Sequence, residues 1–94
     1  MNKLNPKPTP EAIFNFPCDY PVKIMGKDCK ELHSEMCSII ERHAGEIHLS
    51  QISSKKSTKG NYISYTVRIV ATSVSQLDSI NKELQDHPLV AYIL

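Results

Sequence analysis

No apolar run in this chain approaches the roughly 18–20 residues of a membrane-crossing helix, and its first residues lack the apolar core of a signal peptide. Neither sign of charge is in excess. Eleven lysines and arginines stand against ten aspartates and glutamates, so no global field draws the chain to nucleic acid or to a membrane surface. The three cysteines, Cys18, Cys29 and Cys37, are odd in number and show no CxxC spacing, which argues against a disulfide framework and a zinc ribbon. These absences together predict a cytoplasmic protein in a reducing compartment. Catalytic signatures are missing as well. There is no GxSxG elbow to anchor a serine nucleophile and no Walker-type GxxxxGK[ST] loop to cradle a phosphate. Glu31 and Glu35 sit on the polar side of a predicted helix, the ordinary place for charged helix residues. The sequence therefore predicts no enzyme, no cofactor and no metal.

What is present reads as one small α+β domain. Ninety-four residues, 40% of them hydrophobic, support one modest core. Pro6, Pro8 and Pro10 hold residues 1–12 near polyproline II, predicting a flexible solvated tail, and Ile13, Phe14 and Phe16 form an apolar clasp that would dock it onto a domain spanning 13–94. In CDYPVKIMG, Tyr20, Val22 and Ile24 alternate with polar residues, predicting a strand ended by Gly26. Pro21 argues mildly against a fully central position, because it cannot donate to a ladder. Leu32, Met36, Ile39, Ile40 and His43 recur at helical spacing, with Asp28 and Glu31 at capping-box spacing before them and Gly45 after them. Residues 47–55 begin as an alternating strand and turn polar. Between Asn61 and Ala71 a long strand places Ile63, Tyr65, Val67, Ile69 and Ala71 on one face, with a mostly polar set opposite. Ser73 caps a second helix with Gln76 three residues on, Val74, Leu77, Ile80 and Leu84 line one side, Pro88 ends it, and LVAYIL closes as a strand. The order β-α-β-β-α-β predicts a ferredoxin-like two-layer sandwich: a four-stranded antiparallel sheet with both helices on one face, strands one and three central.

Few residues in this frame carry chemistry. Cys29, His33 and Cys37 stack along one side of the first helix, a pattern that suggests zinc. Over two turns they span about 12 Å, however, too far for the outer pair to share an ion, and the stripe abuts the apolar face. His43 packs at a helix end, where the macrodipole favours a cation, while His33 and His87 are expected to be exposed. Lys55, Lys56 and Lys59, with Gly60 and Asn61, form the one local charge concentration, suited to an anion or an acidic partner; solvation of a hairpin tip explains the same lysines. An RNA-recognition platform needs paired aromatics on one face of the central strands. Tyr62 and Tyr65 fall on opposite faces, so nucleic acid is not expected.

Four fragments together resemble the YbeD-like family of small bacterial proteins: FPCDYPVKIMG (16–26), ERHAG (41–45), STKGNYISYTVRIVAT (57–72) and LVAYIL (89–94). The resemblance covers roughly residues 14–94 and implies the same ferredoxin-like fold, similar to ACT regulatory domains, which bind small metabolites between paired domains. It implies a non-enzymatic regulatory or adaptor protein with an unidentified protein partner. The alternative is a metabolite sensor, its ligand between two copies near the loop at Gly26. No membrane is involved, and a homodimer formed along the apolar last strand is open to either. Among the shared residues, Lys59, Gly60, Asn61 and Tyr62, with Arg42 and His43, are polar and near element ends, which makes them the site candidates together with Lys55 and Lys56. A structural account, in which Gly60 and Asn61 set a turn and Tyr62 starts a strand, covers several of them equally.

Overall fold

A computed structural model describes residues 15–93. Strand β1 (Cys18–Lys27), helix α1 (Lys30–Ala44), strand β2 (Ile52–Lys56), strand β3 (Tyr62–Ala71), helix α2 (Val74–Asp86) and strand β4 (Val90–Ile93) follow in that order, with a 3₁₀ turn at Leu49–Gln51. The strands form one antiparallel sheet in the order β2-β3-β1-β4, so β1 and β3 are central as the crossover rule requires. The ferredoxin-like α+β fold is thereby established. The proline-rich tail and the Ile13–Phe14 part of its clasp lie outside the described residues, while Phe16 is half-buried against the core.

Period-two patterning makes the core. Val22 and Ile24 of β1 and Ile63, Tyr65, Val67, Ile69 and Ala71 of β3 point to the helix layer, where Leu32, Met36, Ile39 and Ile40 of α1 meet Leu77, Ile80 and Leu84 of α2. Ile24, Leu32, Ile40, Ile80 and Leu84 have no exposed surface. Each such side chain contributes about 1.5–3 kcal/mol by leaving water. Ser73 caps α2 as expected: its Oγ accepts from the Gln76 amide at 3.0 Å, and Gln76 Oε1 accepts from the Thr72 amide at 2.8 Å.

Four local expectations are corrected. Gly26 does not end β1 but lies inside it, paired with Ile63 on one side and Val90 on the other. The Asp28–Glu31 capping box does not form; Cys29 is the N-cap of α1, without a side-chain cap bond. The strand expected from residue 47 begins at Ile52, because the His48 and Gln51 main and side chains close a 3₁₀ turn first. Pro21 is tolerated in a central strand because β4 pairs only with Ile24, Met25 and Gly26, so beside Pro21 the outer edge of β1 has no partner strand among the described residues.

Candidate functional site

The β2–β3 connection turns over Ser57–Gly60. The Gly60 amide donates to the Ser57 carbonyl at 3.0 Å, the Ser57 amide to the Tyr62 carbonyl at 2.9 Å, and Gly60 takes a φ of +76°, a left-handed conformation natural to glycine. Asn61 contributes its carbonyl, which accepts from the Asp28 amide at 3.2 Å and ties the hairpin to the end of β1. The expected lysine cluster is divided by the pleat. Lys55 pairs with Ser64 and projects from the open sheet face, whereas Lys56 pairs with Ile63 on the helix side, its Nζ 3.5 Å from the Asp28 carboxylate. Lys59 is exposed at the tip without an ion-pair partner among the described residues.

Arg42 and His43 do not join this group. They stand at the C-terminal end of α1, a 15-residue helix whose first turn adjoins Asp28, so about 20 Å of helix separates them from the hairpin. Both grip Glu83 of α2. The His43 hydrogen bond, then the Arg42 guanidinium, hold the Glu83 carboxyl below the usual carboxylate range. Gln76 Nε2 adds a 3.0 Å bond to the His43 carbonyl, so the cluster clamps α1 to α2.

Gly26 sits in a strand and not in a loop. It is buried in β1, and a Cβ there would stand 2.3 Å from the Leu89 carbonyl oxygen and 2.9 Å from Leu32 Cδ2. Packing explains the glycine. His33 and His87, expected in solvent, are half-buried: His33 meets the Tyr65 ring edge-on at 5.5 Å between centroids, and His87 Nε2 lies 3.1 Å from Glu35 Oε1. Cys37 Sγ sits 3.9 Å from His33 Nδ1, and burial, then Glu41, push its thiol upward, which keeps it protonated. Among the described residues, no three His, Cys, Asp or Glu side chains are placed to hold a metal ion.

The open sheet face gathers residues that single-residue reading passes over. The register sets Lys23 beside Thr66, Lys27 beside Tyr62, Met25 between Ser64 and Tyr92, and Arg68 beside Pro21. Tyr62, Val70 and Tyr92 are exposed there. Lys23, Lys27 and Lys55 supply positive charge, while Arg68 is paired at 3.0 Å with Asp19, the acid on these strands' open face. At one end a shallow groove of about 480 Å³ runs between Lys27, Asn61 and Tyr62 and the Pro88–Ala91 segment. The signal in sequence was the two-residue beat of Lys23, Met25 and Lys27; the register that brings Tyr92 and Lys55 beside it is not local information.

Two helices laid on one side of a sheet whose other side is basic and partly apolar define a small ferredoxin-like α+β protein. The chain belongs to the bacterial family described as "Protein of unknown function (DUF493)", also called UPF0250 and YbeD-like, whose match spans residues 11–94. It is 51% identical over 86 residues to a UPF0250 protein of Ruthia magnifica subsp. Calyptogena magnifica, covering 92% of this chain and 94% of that one. A UPF0250 protein of Nitrosomonas europaea, NE1487, is 38% identical over 92% of this chain and 99% of its own. One from Janthinobacterium is 35% identical over the full length of both. These names assign no activity. Among the described residues, no helix is long and apolar enough to cross a membrane.

Proposed function

We propose that the protein is a non-catalytic regulatory adaptor whose open sheet face receives an acidic segment of a partner protein. One observation carries this reading: the face joins Lys23, Lys27 and Lys55 to exposed Tyr62, Val70 and Tyr92, and no described residue covers it. Because the whole chain has a net charge of +1, this positive charge is concentrated by the fold and not by composition. Basic groups steer an acidic segment and fix its register, while tyrosines supply apolar contact at low entropic cost. The other reading, an ACT-like sensor with its metabolite between two copies near Gly26, has less support, since that glycine is filled around by Leu89 and Leu32.

The test is affinity capture of the tagged protein from an extract of the cells that make it. A Lys23→Glu, Lys55→Glu variant runs in parallel, with Lys82→Glu on α2 as control. A stoichiometric protein retained at low salt, lost at moderate salt and lost with the face variant but not with Lys82→Glu is the expected result. Retention that ignores the face variant, or recovery of the tagged protein alone, overturns the reading. Nucleic acid in the captured fraction, released by nuclease, overturns it too.

A further inference from the structure

Helix α1 begins without a side-chain cap. Its N-cap, Cys29, has extended backbone and makes no cap bond, and the position that Ser, Thr, Asp or Asn usually takes is held by a thiol. The neighbouring Asp28 does not substitute, because its carboxylate faces Lys56. The first-turn amides of Lys30 and Glu31 therefore have no acceptor among the described residues. A second feature points at the same place. Tyr65 is 8% exposed, yet its hydroxyl has no hydrogen-bond partner among the described residues, and the ring opens on a cleft of about 580 Å³ lined by Asp28, Cys29, Lys30, His33 and Lys56. Buried hydroxyls are normally satisfied, so the unpaired donor asks for an acceptor in that cleft.

We propose that the cleft between the start of α1 and the β2 edge binds a small oxyanion, a carboxylate or phosphate group, through the Lys30 amide at the start of α1, the Tyr65 hydroxyl and the Lys56 ammonium. The positive end of the helix dipole favours negative charge at this point. The Tyr65 hydroxyl is a donor at neutral pH like any tyrosine, and burial, with Asp28 nearby, raises it further above the ordinary tyrosine value. His33 packs edge-on against the ring and fixes its direction. Asp28 opposes an anion, and Lys56 offsets it at 3.5 Å; Lys30 lines the cleft and Glu31 does not. This site is on the helix side of the sheet and does not depend on the open-face reading.

The opposing roles of Asp28 and Lys56 make a signed test. Amide NMR titrations of the full chain with inorganic phosphate and, separately, with acetate are run against sodium chloride at equal ionic strength. Saturable shifts at the Lys30 amide are expected from at least one of the two probes, and which one responds tells phosphate from carboxylate. Tyr65→Phe, which keeps the ring, is expected to weaken binding about 5-fold, the loss of one hydrogen bond. Lys56→Met weakens it further, and Asp28→Asn tightens it. Should Tyr65→Phe disturb the fold, seen as shifts across the whole spectrum, the exposed Lys56 and the Asp28 variants still decide. Shifts that do not saturate, that chloride reproduces, or that ignore Lys56→Met and Asp28→Asn mean an adventitious ion only, and overturn the site.

Discussion

Two glycines of this chain look alike in sequence and are needed for different reasons. At Gly26 the obstacle is matter: the Leu89 carbonyl and the Leu32 side chain fill the place a methyl group would take, and the carbonyl belongs to backbone held by a 3.0 Å bond from the Lys27 amide. At Gly60 nothing lies within 4 Å of that place, and only the φ of +76° resists a side chain. Gly26→Ala should therefore cost about 1–3 kcal/mol or more through overpacking. Gly60→Ala should cost about 1 kcal/mol, the penalty of one left-handed residue. Thermal unfolding of the two variants checks the order, at roughly 4–8 °C per kcal/mol for a chain of this size. A smaller loss for Gly26→Ala than for Gly60→Ala would show that Leu89 can move away.

Between elements, the informative contact is the grip of Arg42 and His43 on Glu83, which fastens the end of α1 to α2. Its effect on stability has a defined sign. A carboxyl held low in the folded chain contributes stability that is present above its unfolded value, about 4.3, and is lost as pH falls through the lowered folded value. Wild type should thus unfold at a higher temperature than Glu83→Gln near neutral pH, and the gap should narrow in acid and close once pH falls below the lowered folded value. A gap that persists unchanged in acid would mean that Glu83 acts by packing and not by charge.

The same scale explains what the sequence disclosed. The alternating apolar residues of β3 and the capped apolar stripe of α2 are strong local signals, and both elements lie where the pattern puts them, to within a residue for β3. IHLSQ alternates as a strand does, yet β2 starts only at Ile52, after the 3₁₀ turn. Its Gln51 side chain instead reaches the Arg68 carbonyl at 2.7 Å, a contact invisible until β3 is in place. Of the open face, only Lys55 and Tyr62 stand out in the sequence; Lys23, Lys27 and Arg68 join them through the strand register. Adjacent Lys55 and Lys56 part across the pleat, and the partner of Arg42 and His43 lies about forty positions downstream.

Over the whole molecule, cohesion is uneven in a way the ladders display. β1 and β3 pair along their full lengths, from Cys18 with Ala71 to Lys27 with Tyr62; β2 pairs through Ile52–Lys56, and β4 through Ile24, Met25 and Gly26 alone. Amide hydrogen exchange should be slowest at the centre of the β1–β3 ladder, around Val22–Ile24 and Tyr65–Val67, and faster by orders of magnitude in β4 and the Ser57–Asn61 turn. Equal protection of β4 and β3 would contradict this ranking.

That long central ladder also governs what happens while the chain is being made. When β1 leaves the ribosome it has no strand to lie against, because its principal partner, Tyr62–Ala71, has yet to emerge and its second, Val90–Ile93, comes later still. α1 meanwhile forms an apolar stripe with no sheet to receive it. At roughly 5–20 residues per second the exposed interval lasts a few seconds, the period in which a nascent chain of this topology most needs the company of a chaperone.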